Sequence, residues 1–162
     1  PIAGYLTVIL FQGAFTFALV YHGCSADKTA QPPVLAMLAA SLLIGGFYPL
    51  TQIYQHNADL KDGVQTISYR LGYRGTFIFC GIIYTITFLL LGFYFFYTLQ
   101  NSAFYVFSLC MLPVMLYFLL WARKVWQNNR QADYVHTMRM NSIAAACTNM
   151  AFIIILITGH FE

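Results

Sequence analysis

The sequence predicts an all-α, polytopic transmembrane helix bundle with five spans, and three observations carry that expectation. Hydrophobic residues make up 60% of the 162-residue chain and charged residues only 8%, against roughly 25% charged in a soluble domain. The apolar residues gather into five segments, each long enough to cross a bilayer core of about 30 Å at about 1.5 Å per residue. The basic residues are distributed with one sign of asymmetry: seven of the eight Lys and Arg fall in alternate connections. Backbone groups in lipid must be satisfied within the segment, so the spans are helices rather than strands.

The first span covers about residues 2–21 and the second about 34–54. A polar loop over 22–33, ending in Pro32-Pro33, separates them. The third span covers about 76–98 and the fourth about 103–121, joined by a tight uncharged turn at 99–102. The fifth covers about 141–159. Pro49 and Pro113 interrupt the second and fourth spans. A proline removes a backbone donor and crowds the carbonyl four residues back. At Pro49 that carbonyl is Gly45's, next to Gly46, so a kink is expected there.

The two long polar connections are 55–75, with Lys61, Arg70 and Arg74, and 122–140, with Arg123, Lys124, Arg130 and Arg139. Only Lys28 lies in the alternating loops. The positive-inside rule therefore places both long connections in the cytoplasm and the C-terminal end on the opposite side. The protein is expected to be integral to a membrane, the inner or cytoplasmic membrane if the source is bacterial.

Other classes fit poorly. The net charge of +3 is small and split by apolar stretches, with no basic, aromatic-rich solvated stripe of the kind that binds nucleic acid. Cys24, Cys80, Cys110 and Cys147 form no CxxC pair and read as small, mostly buried residues. Haem ligation would need imidazoles aimed into the spans, yet three of His22, His56, His136 and His160 sit at or beyond a helix end. They read as interfacial or loop histidines. The absence of a basic leader and the initial Pro1 suggest a piece of a longer chain.

The segment YPLTQIYQHNADLKDGVQT, residues 48–66, is where the chemistry concentrates. On a continuing helix, Tyr48, Gln52, Gln55 and Asp59 fall at i, i+4, i+7 and i+11, along one face, and Asp62 adjoins it. A polar stripe is costly against lipid and belongs on a bundle interior or a water-filled cavity. Mg²⁺ is commonly held by one or two carboxylates together with substrate phosphates. Asp59, with Asp62 and the amide oxygens of Asn57 or Gln55, offers such a half-site, and Lys61 offers a point cation for a diphosphate. Tyr48 and Tyr54 adjoin the stripe and can present π-faces to a developing carbocation. Asn141, at the inner end of the last span, can also face the pocket.

The run Tyr48-Pro49-Leu50, then Gln55-His56-Asn57-Ala58-Asp59-Leu60-Lys61-Asp62-Gly63, then Thr66 and Leu71-Gly72, resembles the second aspartate-rich region of the UbiA family of intramembrane prenyltransferases. That resemblance implies a nine-helix fold of which these five spans are the last five. It further implies two aspartate-rich cytoplasmic loops that together hold Mg²⁺ and an isoprenyl diphosphate, whose prenyl group passes to an aromatic or lipid acceptor. Asp59 and Lys61 fall on matching positions, whereas Gln55 stands where the family has its first aspartate. The first aspartate-rich motif is absent; Asn129 and Asp133 have its initial spacing, but Thr137 breaks the pattern. The whole chain, 1–162, is thus expected to be one transmembrane domain from the C-terminal part of such an enzyme, holding half of a catalytic centre and inactive alone. The alternative expectation, favoured by Gln55, is a non-catalytic or transport-like isoprenoid-binding protein of the same fold.

Overall fold

A computed structural model describes residues 1–26 and 29–159. Lys28 and His160, which bear on sidedness and on haem ligation, lie outside the described residues. Among the described residues five helices are long and apolar enough to span a membrane: α1 Ile2–Cys24, α2 Val34–Lys61, α3 Ile67–Tyr97, α4 Asn101–Gln127 and α5 Tyr134–Gly159. No strand forms among the described residues. The chain divides into two compact units, 1–94 and 95–162.

Each apolar segment predicted from the sequence is found, but the helices outrun the segments. α2 continues to Lys61 rather than stopping near 54, and α3 begins at Ile67 rather than 76. The expected polar connection over 55–75 therefore shrinks to 62–66, and that over 122–140 to 128–133. Hydropathy marks where a helix meets lipid. It does not mark where backbone hydrogen bonding ends, and polar side chains such as Arg70 and Lys124 prolong a helix into water at little cost.

In the first unit, α1 and α2 approach closely at a π-helical turn, Leu10–Phe15. A Cβ built on Gly13 would collide with Ser41 Cα and lie 2.6 Å from its backbone nitrogen, so only glycine permits the crossing. The Ser41 hydroxyl accepts the Ala14 N–H at 3.0 Å. Thr16 Oγ1 donates to the Phe11 carbonyl, five residues back, at 2.8 Å. One donor and one acceptor of the widened turn are thus met by side chains.

Pro49 lies inside α2 and has no N–H for the Gly45 carbonyl. That carbonyl accepts instead from the Tyr5 hydroxyl of α1, at 2.9 Å and buried. Tyr5 in turn stacks near Tyr48 (6.5 Å, 25°) and meets Phe79 edge-on at 5.8 Å. Gly46 lies against the ring of Tyr84, within 2.9 Å of where its Cβ would be. The Gly45-Gly46-Pro49 group is therefore the point on which α1 and α3 both rest.

In the second unit, α4 and α5 form a hairpin sealed by Phe107 on Phe152 (6.0 Å) and by Thr148 on the Met111 sulfur (3.8 Å). Trp121 is buried, and its indole N–H donates to the Gln131 carbonyl in the connection at 2.8 Å. Asp133 caps α5: its Oδ1 accepts the His136 backbone N–H at 2.8 Å and lies 2.9 Å from His136 Nδ1. Partial desolvation pushes the Asp133 carboxyl up, but the bonds from His136 outweigh it and hold the group below its ordinary value.

Gly13→Ala forces the α1–α2 crossing apart and is expected to cost about 1–3 kcal/mol, read from thermal unfolding in detergent. Gly4→Ala, where nothing lies within 4 Å, should leave the midpoint unchanged. A carboxyl depressed in the folded state stabilises above its unfolded pKa and loses that contribution as pH falls through the folded value. Asp133→Ala should accordingly lower stability at neutral pH, and the gap to wild type should close on acidification below about pH 4.

Candidate functional site

The polar stretch at the end of α2 does not keep unbroken α-geometry. Residues Ile53–Gln55 form a 3₁₀ turn, preceded by Gln52 at φ −94°, ψ −12° and ending in Gln55 at φ −90°, ψ −5°. Each 3₁₀ residue advances about 20° more than an α-helical one, so three residues rotate the remaining helix by roughly 60°. The straight stripe expected from i, i+4, i+7 spacing is thereby split. Gln52 is left above the turn, and Gln55 and Asp59 are swung ahead of it.

Below the turn the helix ends in a tight, largely self-bonded loop. The Asp62 N–H donates to the Ala58 carbonyl at 3.0 Å, and the Val64 N–H donates to the Asp59 carbonyl at 2.8 Å, around Gly63 at φ +68°. Thr66 then starts α3. Its hydroxyl oxygen accepts the Tyr69 N–H at 3.2 Å, a helix cap, while its proton is donated to Asp59 Oδ2 at 3.2 Å. One hydroxyl thus fixes the start of α3 and one oxygen of the acid. Asp59 Oδ1 makes no hydrogen bond among the described residues, and the residue stays half-exposed.

Behind the acidic turn lies a buried polar cluster. His56 is only 6% exposed. Its Nε2 sits 2.8 Å from the Ser68 hydroxyl, which lies 3.1 Å from Thr76 Oγ1. Thr76 Oγ1 is 2.8 Å from the Gly72 carbonyl. Gly72 interrupts α3 at φ 67°, ψ 176°, a conformation essentially confined to glycine. The break is what lets Ser68 and Thr76 face one another across it. The His56 ring lies on Tyr73 (4.7 Å, 32°) and edge-on to Tyr69 (5.7 Å). His56 is therefore a buried brace between α2 and α3, and not the interfacial histidine expected from its place in the sequence.

The other residues that the sequence singles out have varied surroundings. Gln55 donates through Nε2 to the Tyr54 hydroxyl at 2.8 Å, which leaves its amide oxygen as an available acceptor. Gln52 keeps a buried Oε1 with no hydrogen-bond partner. Asn57, Lys61 and Asp62 are exposed, and Asp59 and Tyr54 are half-buried. Tyr48 is committed to the aromatic group around Tyr5. Asn141 belongs to the second unit, in the early turns of α5, where its Oδ1 is likewise buried and unpartnered. Among the described residues no three His, Cys, Asp or Glu side chains gather into a metal-holding group.

Thr66, Ser68, Thr76 and Gly72 complete the site, although nothing local in the sequence assigns them a role. Their signal is spacing across a turn: Thr66 is seven residues beyond Asp59 and Ser68 twelve beyond His56, distances that matter only once Gly63 closes the loop.

This architecture defines a polytopic α-helical membrane protein with an acid-bearing turn between its second and third spans. The chain belongs to the UbiA prenyltransferase family, whose profile matches residues 3–143. No curated protein and no solved structure matches it.

Ser68→Ala leaves a buried imidazole nitrogen without its partner and is expected to cost about 1–3 kcal/mol in unfolding free energy. Replacing both partners, as His56→Leu with Ser68→Ala, should recover part of that loss. A double variant less stable than the sum of the two singles would contradict the bracing role.

Proposed function

We propose that the chain carries the second acidic half-site of a membrane prenyltransferase, which transfers an isoprenyl group from its diphosphate to an aromatic or lipid acceptor. The observation that carries this reading is the state of Asp59: one carboxylate oxygen tied to Thr66 and the other open at the end of the polar helix. An acid at a helix C-terminus opposes the macrodipole, so its placement favours a cationic ligand. Family membership supports the class of reaction, and the proposed sidedness, with the turn at the cytoplasmic surface, rests on the basic residues.

The donor set fits Mg²⁺ as a half-site, because it consists of hard oxygens and one or two carboxylates, with room for phosphate and water ligands. Asp59 would hold the ion, aided by the Gln55 amide oxygen and by Asp62 or Asn57. When bound, Mg²⁺ would offset the charge of the diphosphate leaving group. Lys61, exposed beside the acids, supplies a point cation to the diphosphate. Tyr54, held by Gln55, and Tyr48, held by Tyr5, supply aromatic faces for the prenyl chain. Gln52 keeps a buried oxygen that a polar substrate group can satisfy.

A second reading is favoured by one residue. Gln55 carries no charge where the family pattern has an aspartate, and a bundle that binds isoprenoids without turning them over would tolerate that exchange. Asp59→Asn in the full-length protein should abolish Mg²⁺-dependent prenyl transfer, measured with radiolabelled isoprenyl diphosphates and a panel of aromatic acceptors. Wild-type turnover in that variant would sink the assignment of Asp59. Absence of diphosphate release from the wild-type protein with every acceptor would favour the binding-only reading.

A further inference from the structure

The second unit holds a concavity that the proposed reaction does not use. It lies at the polar end of the α4–α5 hairpin, has a volume of about 330 Å³, and is lined by Tyr117, Trp121, Arg123, Lys124, Gln127 and His136. We propose that this groove binds the phosphodiester headgroup of an anionic membrane lipid.

Three features of the groove point there. Its charge is uncompensated: Arg123 and Lys124 are both exposed, and neither is paired with a carboxylate among the described residues. Asp133, which touches the groove residue His136, is engaged by it through both its backbone N–H and its ring. Lys124 Nζ lies 3.4 Å from His136 Nε2, which places the exposed cation at the wall of the groove.

The wall is also rigid. Trp121 is 1% exposed, its indole N–H is fixed by the Gln131 carbonyl, and its ring lies parallel to that of His136 (6.2 Å, 12°). His136 is pinned from its other side by Asp133. The cations therefore border a preformed recess, whereas a merely basic surface would present mobile side chains.

The third feature separates a lipid from a free anion. One to two turns back along α4, Leu116, Leu119 and Leu120 are each about 60% exposed. An apolar face that runs directly into Arg123 and Lys124 matches a molecule with acyl chains below and a phosphate above. Basic pockets between transmembrane helices bind anionic headgroups where the cytoplasmic leaflet is rich in them. The inference needs α4 to end at a membrane surface and does not depend on catalytic activity.

The test uses the tryptophans as reporters. The chain has two, Trp121 and Trp126, so Trp126→Phe leaves Trp121 as the single fluorophore, within the groove itself. The full chain is placed in mixed bilayers of phosphatidylcholine and phosphatidylglycerol, with either lipid carrying brominated chains, and Trp121 quenching gives their relative affinity. The two cations should give at least about tenfold preference for phosphatidylglycerol. In the same background Arg123→Gln with Lys124→Gln should bring the ratio close to one, at unchanged far-ultraviolet helicity. Arg70→Gln with Arg74→Gln, which removes the same charge from α3, should leave the preference in place. A ratio near one in the parent, or a preference that survives loss of Arg123 and Lys124, overturns the proposal. Millimolar inorganic phosphate or diphosphate displacing phosphatidylglycerol as well as added lipid does would also overturn it, in favour of a soluble anion.

Discussion

A transmembrane backbone has no water to turn to, and that constraint organises the first unit of this protein. Two irregularities in its helices each free a polar group that a side chain then meets. Pro49 orphans the Gly45 carbonyl, and the Tyr5 hydroxyl takes it. The π-turn in α1 displaces the Ala14 N–H, and the Ser41 hydroxyl takes that. Both repairs cross from α1 to α2, so the defects themselves specify how the two helices dock. Without the proline and the π-turn, two plain apolar helices in lipid would have only van der Waals packing to choose a register.

The same logic continues at the membrane's edge. The break at Gly72 frees backbone around the start of α3, and Thr76 turns its hydroxyl back to the Gly72 carbonyl while contacting Ser68. Ser68 reaches His56, and His56 packs between Tyr69 and Tyr73. The acidic turn is thus mounted on a buried, internally satisfied polar cluster. Networks of this kind hold geometry well only when every member is paired. Thr66 links this support to Asp59 by capping α3 and donating to the carboxylate with the same hydroxyl.

The five spans are legible in the sequence because hydrophobicity over about 20 residues reports directly on the solvent a segment occupies. Their ends are not. Residues 55–61 and 67–75 are polar, and polarity suggests loop, although hydrogen bonding in the helix carries on through both stretches. The acids are conspicuous because Asp59 and Asp62 stand out in a chain with five acidic residues. The burial of His56 is hidden for the opposite reason. Its partner Ser68 is an ordinary residue, brought near only by the turn at Gly63, and nothing local distinguishes a histidine at a helix end from one folded under the next helix. The 3₁₀ turn at Ile53–Gln55 is equally invisible, since no proline or glycine lies within it; the departure shows only in the backbone angles at Gln52 and Gln55.

That 3₁₀ turn bears on what Gln55 does. On an unbroken helix Gln55 would simply extend the Gln52 face toward Asp59, and its lack of charge would be its only property. After the extra rotation its amide nitrogen is held by the Tyr54 hydroxyl, which fixes which end of the amide is left to accept. An aspartate there would offer the tyrosine only an acceptor, and the hydroxyl would have to become the donor. The exchange of acid for amide thus alters two things together: it removes one negative charge from the half-site, and it reverses the hydrogen bond that orients Tyr54. A single Gln55→Asp change is therefore not a simple restoration of charge, because the aromatic wall beside it is oriented by the amide it replaces.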